Sequence, residues 1–181
     1  MLTVKDLSVV INGKSILDHV SFCVEPGEWL MLIGPNGAGK STLLSTISHG
    51  IKYGGSIHFE KQDIARMKPR QRALSFAVLS QRHEVGYAFT AQEVIRLGRY
   101  ASTGFLKSES SDDAYLIDQA VELTGIGDIL KRNVLTLSGG ELQRVFLAQI
   151  FAQNPKLLLL DEPANHLDLK YQEQIFELIS R

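Results

Sequence analysis

Residues 29–48 restrict the fold more than any other part of the 181-residue chain. They consist of five apolar residues (WLMLI), a Gly-rich stretch (GPNGAGKS) and a run with apolar residues on one side. An uninterrupted apolar run next to a turn predicts a strand that is buried on both faces. The spacing of Leu43, Leu44 and Ile47 predicts a helix over residues 40–49. A buried strand that leads into a helix indicates a parallel α/β sheet.

The remaining pattern alternates short strands with helices. Leu2–Ile11 and Ile16–Val24 alternate apolar and polar residues around an Asn-Gly turn, which predicts an antiparallel hairpin. GGSIHFE and ALSFAVLSQ are typical of strands, and LLLLDEP begins with a second strand that is expected to be fully buried. Helices are predicted after the N-cap residues Thr90 and Ser111, and in ELQRVFLAQIFAQN, which Pro155 ends.

These elements predict one α/β domain over residues 1–181, with a mainly parallel core sheet. Its core, at 1–84 and 137–181, includes an N-terminal antiparallel β subdomain. A helical subdomain is inserted at about 85–136. No internal repeat or low-complexity tract interrupts the pattern.

Charge and composition exclude several classes of protein. The chain has 19 basic and 20 acidic residues, so its net charge of −1 argues against a nonspecific electrostatic grip on nucleic acid. A single cysteine excludes an internal disulfide framework. The longest apolar runs, WLMLI and KLLLLDE, are too short to span a bilayer, so any role at a membrane is expected to depend on a partner protein.

The stretch GPNGAGKS fits the pattern G-x-x-x-x-G-K-[ST] between a predicted strand and a predicted helix. Its glycines would let backbone N–H groups close around phosphate oxygens, Lys40 would reach the terminal phosphates, and the Ser41 hydroxyl would ligate Mg²⁺. A Gly-rich turn without a ligand is the alternative, and the strand-loop-helix context argues against it. The candidate residues for binding a phosphate-bearing ligand, which the family resemblance described below implies to be ATP, are Gly34, Pro35, Asn36, Gly37, Ala38, Gly39, Lys40, Ser41 and Thr42.

Two further turns carry groups that suit phosphate chemistry. LSGGELQ, at residues 137–143, opens a helix with a Ser-Gly-Gly turn whose N–H groups and dipole favour an anion. LLLLDEP ends a strand in Asp161 and Glu162, and the carboxyl end of a strand is the ligand edge of an α/β sheet. Asp161 would hold Mg²⁺, and Glu162 would act as general base on the attacking water. A solvated acidic pair at a turn is the alternative.

The order of these motifs resembles the ATPase domain of ABC transporters. A phosphate loop, Gln81 after a strand, LSGGELQ, LLLLDEP and ANHLD follow one another at matching spacing along nearly the whole chain. The resemblance implies that two such domains pair head to tail, with each ATP between the phosphate loop of one and the signature turn of the other. The signature residues that would face the partner's ATP are Leu137, Ser138, Gly139, Gly140, Glu141 and Gln143.

The resemblance also assigns roles to three single positions. Gln81 corresponds to the family's Q-loop glutamine, which approaches Mg²⁺ and the attacking water, and is therefore both a catalytic and a metal-binding candidate. Asp168 corresponds to the D-loop aspartate, which contacts the phosphate loop of the opposing domain. Ile11 lies where the family usually has an aromatic residue that stacks on adenine, so this chain departs from the pattern of base recognition.

The segments FTAQEVIRLGRYAS and NHLDL resemble ATPases that drive bacterial import of iron-siderophore, haem and cobalamin complexes. An amphipathic helix is the simpler interpretation of VIRLGRY. The resemblance implies polytopic permease subunits as partners, indirectly a substrate-binding protein, and a place on the cytoplasmic face of the inner membrane; no nucleic acid is expected. The alternative is a soluble ABC-type ATPase in translation or DNA repair, a class that usually has two cassettes or a long coiled-coil insertion.

The end of the sequence is expected to be incomplete. The family's domain continues through another strand to a switch histidine, whereas this chain stops at FELISR. Its last predicted helix ends without Gly, Asn or Pro. The resemblance therefore implies a C-terminally truncated domain, and the 181-residue chain is expected to be a weak or inactive ATPase.

Overall fold

The computed structural model describes residues 1–80, 86–103, 110–163, 172–173 and 177, and it divides into two compact units, Met1–Arg72 and Ala73–Arg181. The strands are β1 (Leu2–Ile11), β2 (Lys14–Val24), β3 (Gly54–Phe59), β4 (Gln62–Asp63), β5 (Phe76–Leu79) and β6 (Leu157–Leu160). The α-helices are α1 (Lys40–His49), α2 (Pro69–Ser75), α3 (Ala91–Leu97), α4 (Tyr100–Thr103), α5 (Ser111–Thr124) and α6 (Gly139–Gln153). These elements confirm the α/β class and the predicted helix over residues 40–49.

The first unit contains an antiparallel sheet with the strand order β2-β1-β3-β4. The predicted hairpin is confirmed, and its turn lies at Asn12 and Gly13. Both turn residues have positive φ, 50° and 77°, which is the backbone that Asn-Gly adopts at low cost in a two-residue hairpin. Leu2, Val4, Leu7 and Val9 of β1 are buried, but strict alternation is interrupted between Val4 and Leu7, where the pairing with β2 shifts register and Asp6 has a φ of 54°.

The predicted strand at WLMLI is wrong. Residues 28–35 have no regular secondary structure, and Trp29 and Ile33 are 56% and 88% exposed. An apolar run forms a buried strand only where other strands satisfy its backbone groups and other side chains cover both faces. In the first unit the four strands β1 to β4 pair with one another and leave this run outside their sheet.

The second unit contains a parallel pair, β5 and β6, in the register Phe76↔Leu157 to Leu79↔Leu160. Within the described residues, β5 and β6 form the parallel sheet. Leu147 and Ile150 of α6 pack against one of its faces. The expectation that LLLL is fully buried is wrong, because only Leu159 of β6 is buried and the other three leucines are half-buried. Full burial needs cover on both faces, which a pattern of apolar letters cannot guarantee. The strand predicted over 73–81 begins only at residue 76, because helix α2 extends to residue 75.

Helices α3, α5 and α6 pack around a common apolar core in the second unit. Thr90 caps α3 as predicted, in a capping box with Glu93. The predicted cap of α5 at Ser111 is wrong, since Ser110 has this role. The carboxylate three residues after Ser110 completes a second capping box, whereas alanine occupies the corresponding position after Ser111. The buried core residues are Ala91, Val94, Ile95, Ile117, Ala120, Ile126, Ile129, Val134, Val145, Ala148 and Ala152.

A buried ion pair joins the turn after α3 to helix α5. Arg99 Nε donates to Asp113 Oδ1 at 2.7 Å, and the two side chains are only 13% and 6% exposed. Arg99 Nη1 also donates to the carbonyl oxygens of Ala152 and Gln153 at the end of α6. The hydrogen bond from the Ser110 hydroxyl, and after it Arg99, lowers the pKa of Asp113 to about 2, although burial acts in the opposite direction.

Replacing Asp113 with alanine is expected to lower the free energy of unfolding by about 3 kcal/mol, because it leaves the buried Arg99 guanidinium without its opposite charge and removes the carboxylate of the Ser110 capping box. The folded-state pKa of about 2 lies below the ordinary value of 3.8, so this stabilisation is complete above pH 4 and is lost as the pH falls from about 4 towards 2. Urea unfolding across this pH range measures both effects. The control is Asp112→Ala, which removes an exposed neighbouring carboxylate; an equal loss in both variants would contradict the role of the buried pair.

Candidate functional site

The phosphate-loop sequence wraps around the N-terminus of α1. Gly37 and Gly39 have φ values of 84° and 88°, and Gly39 is the N-cap of the helix. A Cβ atom at Gly39 would lie 2.8 Å from Leu17 Cδ2 and 3.0 Å from the carbonyl oxygen of Ile16. Glycine is therefore required at this position both by the left-handed backbone and by the close approach of β2.

The start of α1 presents positive groups to solvent. No side chain caps the helix, and its first turn contains no acidic residue. The N–H groups of the first turn have no partner within a helix, and the dipole adds positive potential at this end. Lys40 Nζ lies across the loop and donates to the carbonyl oxygens of Gly34 at 2.8 Å and Pro35 at 3.1 Å. N–H groups, an ammonium and the exposed Ser41 hydroxyl form a set of donors that fits phosphate oxygens.

The two carboxylates lie just beyond β6, where the parallel pair ends. The Asp161 N–H donates to the carbonyl oxygen of Leu79 at 2.8 Å, which continues the ladder by one bond. Glu162 follows with a φ of 51°, an uncommon left-handed conformation for a residue with a side chain. Both carboxylates are half-buried. Because β5 and β6 are parallel, their carboxyl ends meet at the edge where an α/β sheet binds its ligands.

The signature turn is held by a capping box at the start of α6. Ser138 is the N-cap; its Oγ accepts from the Glu141 N–H at 3.3 Å, and its own N–H donates to Glu141 Oε2 at 2.8 Å. Arg132 fixes the same carboxylate, with Nη1 donating to Glu141 Oε1 at 2.7 Å and Nη2 to the Thr136 carbonyl at 3.1 Å. The Ser138 backbone N–H, next the Ser138 side chain, and then Arg132 lower the pKa of Glu141.

Gln143 lies in the first turns of α6, but its side chain contacts its own chain. Its Nε2 donates to the carbonyl oxygen of Pro163 at 3.0 Å in a partly buried position. This contact joins the helix of the signature turn to the segment that follows Asp161 and Glu162. Neither this contact nor that of Arg132 is visible in the sequence, because no local pattern relates residues 20 or 9 positions apart in this way.

The predicted site residues fall into three groups. Residues 34–42 lie in the first unit, and 137–143, Asp161 and Glu162 lie in the second. Gln81 and Asp168 lie outside the described residues. Within the described ranges, His, Cys, Asp and Glu side chains do not form a group of three or more that could hold a metal ion. In the same ranges, every helix is too short or too polar to cross a bilayer.

A family model described as "ABC transporter" matches residues 17–165 of the chain. The hemin import ATP-binding protein HmuV of Chelativorans sp. (strain BNC1) is 42% identical over 179 residues, which cover 95% of this chain and 67% of HmuV. The petrobactin import ATP-binding protein YclP of Bacillus subtilis (strain 168) is 36% identical, with coverage of 100% of this chain and 71% of YclP. YvrA of the same organism, an uncharacterized ABC transporter ATP-binding protein, is 39% identical, and the chain spans 97% of its own length but only 40% of YvrA.

Solved structures of ABC transporter proteins are also similar to this chain. An ATP-binding subunit of an ABC transporter superimposes with a TM-score of 0.85 at 27% identity, over 99% of this chain and 73% of that one. A metal-chelate type ABC transporter in an inward-facing conformation superimposes with a TM-score of 0.82 at 27% identity, over 99% of this chain and 66% of that one.

Proposed function

This chain belongs to the ABC transporter family, and we propose that it is the part of a bacterial importer that binds and hydrolyses ATP. The observation that carries this proposal is the phosphate loop, in which an uncapped helix N-terminus, two left-handed glycines and the Lys40 ammonium provide donors for phosphate oxygens. The chain spans 40% to 71% of the curated relatives described above, so the activity of the whole protein is part of the proposal.

In this proposal the phosphate loop binds ATP and the carboxylates after β6 take part in its hydrolysis. The N–H groups of residues 34–42 and Lys40 bind the phosphates of ATP, and Lys40 exchanges its bonds to loop carbonyls for bonds to phosphate. Glu162 accepts the proton of the attacking water as general base. Mg²⁺, when bound, would neutralise charge on the phosphates. Oxygen atoms of Ser41, Asp161 and Gln81 would hold this ion, because hard cations prefer oxygen ligands.

The signature turn suggests that a second copy completes the site. Backbone N–H groups at Gly139 and Gly140, in the first turn of α6, and the Ser138 turn are suited to the γ-phosphate of ATP bound to a partner chain. Of the remaining signature residues, Glu141 closes the capping box of this turn, and Leu137 and Gln143 flank it. Asp168 would contact the opposing phosphate loop. The working unit in this proposal is a head-to-tail homodimer.

The similarity to HmuV and YclP, together with the segment FTAQEVIRLGRYAS, supports an importer of iron-siderophore, haem or cobalamin complexes. Its partners would be polytopic permease subunits and, indirectly, a substrate-binding protein, and the ATPase would lie on the cytoplasmic face of the inner membrane as a peripheral subunit. Co-purification from a detergent extract tests these partners. Recovery with ribosomes or DNA in place of a many-helix membrane protein would overturn the assignment.

ATP binding itself is tested by titration, and we expect ATP and GTP to bind with affinities within about tenfold of each other. Ile11, the residue aligned with the family's adenine-stacking aromatic, is 39% exposed at the end of β1 and offers only apolar contact. Aromatic stacking on a base is worth roughly 1–3 kcal/mol in nucleic-acid complexes, and tenfold corresponds to about 1.4 kcal/mol. Trp29, the single tryptophan, lies five residues before Gly34 and provides a fluorescence signal.

Two results of this titration would contradict different parts of the expectation. No binding of either nucleotide would contradict the proposed function. Binding of ATP more than a hundredfold tighter than GTP would leave the function intact and show that another residue recognises adenine. The Ile11→Tyr variant is the matched control, because it restores an aromatic ring at the same position and is expected to increase affinity for both nucleotides.

A further inference from the structure

The contact between Gln143 and Pro163 links two parts of the proposed machinery within one chain. Helix α6 begins at the signature turn, and Gln143 follows Gly139 by about one helical turn. Its side-chain amide reaches across to the turn that follows β6, where Nε2 lies 3.0 Å from the Pro163 carbonyl oxygen. The same helix therefore carries the signature turn and holds the turn that contains Glu162.

The turn after β6 has a backbone that needs external support. At the N-terminal side of the turn, the Asp161 N–H donates to the Leu79 carbonyl of the neighbouring strand. At the C-terminal side of the turn, Pro163 has no N–H to donate, and its carbonyl oxygen accepts from Gln143 Nε2. Between these two contacts lies Glu162 in a left-handed conformation, φ 51°, which persists where the surrounding structure fixes it.

We propose that Gln143 is a positioning residue for Glu162, through the Pro163 carbonyl, and that it couples the signature turn to the general base in the same chain. The inference rests on the proposed function, in which Glu162 acts on the chain's own ATP and the signature turn acts on the partner's ATP. Under that arrangement, α6 and the Gln143 amide connect the two nucleotide sites of the dimer. Gln143 differs from Ser138 and Glu141 in its partner, because its side chain bonds to the segment after β6, whereas theirs take part in the capping box of the signature turn.

Two substitutions that nearly keep the shape of Gln143 but remove its amide donor test the positioning role. Gln143→Glu removes the amide donor and directs a carboxylate at the Pro163 carbonyl, while Gln143→Met removes the donor without adding charge. In the full-length protein we expect kcat for ATP hydrolysis to fall roughly tenfold or more in both variants, because small displacements of a catalytic group are costly. We expect KM and the dissociation constant for ATP to stay within about twofold of the wild-type values, since the groups that bind phosphate are untouched.

The matched control is Gln149→Glu, which makes the same chemical change six positions later on α6 at a half-buried residue. We expect wild-type kcat in this variant. A role limited to helix stability would lower the melting temperature of Gln143→Glu without separating kcat from KM. Wild-type kcat in both Gln143 variants would overturn the inference and leave the proposed function standing.

Amide hydrogen exchange provides a readout that does not depend on turnover. In the absence of nucleotide, a peptide covering residues 157–163 should exchange several-fold faster in Gln143→Glu than in Gln149→Glu, because the turn has lost the hydrogen bond to the Pro163 carbonyl. Equal exchange in the two variants would overturn the positioning role. Failure of the wild-type protein to bind ATP would instead overturn the proposed function, so the two failures are distinguishable.

Discussion

Replacing Lys40 with alanine is expected to weaken ATP binding about a hundredfold. Hydrogen bonds to charged groups contribute about 1.5–3 kcal/mol, and Lys40 would lose such bonds to the phosphates. At about 1.4 kcal/mol per factor of ten, the upper part of this range corresponds to a hundredfold change. The variant also loses the bonds from Nζ to the carbonyl oxygens of Gly34 and Pro35 that draw the loop together.

Isothermal titration with ATP measures this loss, with the tryptophan signal of Trp29 as an independent probe. The control is Lys52→Ala, which removes an exposed lysine of the same unit that lies beyond the end of α1. We expect Lys52→Ala to bind ATP like the wild type. An unchanged ATP affinity in Lys40→Ala would show that the loop at residues 34–42 is not the phosphate site.

The second large effect is expected from Glu162→Gln, which should bind ATP normally and hydrolyse it about 10²–10⁴ times more slowly in the full-length protein. Glutamine keeps the shape of the side chain but cannot accept the proton of the attacking water. Since ATP then persists in the site, we expect it to hold the head-to-tail dimer together. The mutation leaves the backbone contacts of the turn, Asp161 to Leu79 and Gln143 to Pro163, in place.

Steady-state turnover and size-exclusion chromatography with ATP measure the two consequences of Glu162→Gln. Glu122→Gln is the matched control, because it makes the same change at an exposed residue of α5. We expect the control to turn over ATP at the wild-type rate and to show no ATP-dependent dimer beyond that of the wild type. Wild-type turnover in Glu162→Gln would exclude this residue as the general base.

Features that depend on residues a few positions apart were predictable from the sequence. The Asn12-Gly13 turn, the cap of α3 at Thr90 and the Ser-Gly-Gly turn at the start of α6 are all found as expected. The two helix caps form because a nearby side chain can satisfy free backbone groups, and the hairpin turn forms because Asn and Gly adopt a positive φ at low cost. The cap of α5 lies one residue before the predicted Ser111, because Asp113 lies three residues after Ser110 and completes a capping box there.

The two apolar runs show that a local pattern does not determine burial or strand pairing. WLMLI and LLLL predict similar buried strands, yet the first has no regular secondary structure and the second pairs with β5 in a half-buried ladder. A run of apolar residues indicates a tendency to leave water, but burial is supplied by neighbours that are distant in sequence. The local sequence does not specify those neighbours.

The sequence by itself determined the donors of the phosphate loop, the two carboxylates after β6 and the turn that begins α6, because each is a short run of residues with its own chemistry. Only the tertiary structure decided how these groups are held. The bonds Arg132–Glu141, Arg99–Asp113 and Gln143–Pro163 join residues 9, 14 and 20 positions apart. Such bonds form when folding brings groups from separate segments of the chain within hydrogen-bond distance, and the local sequence does not specify which groups meet.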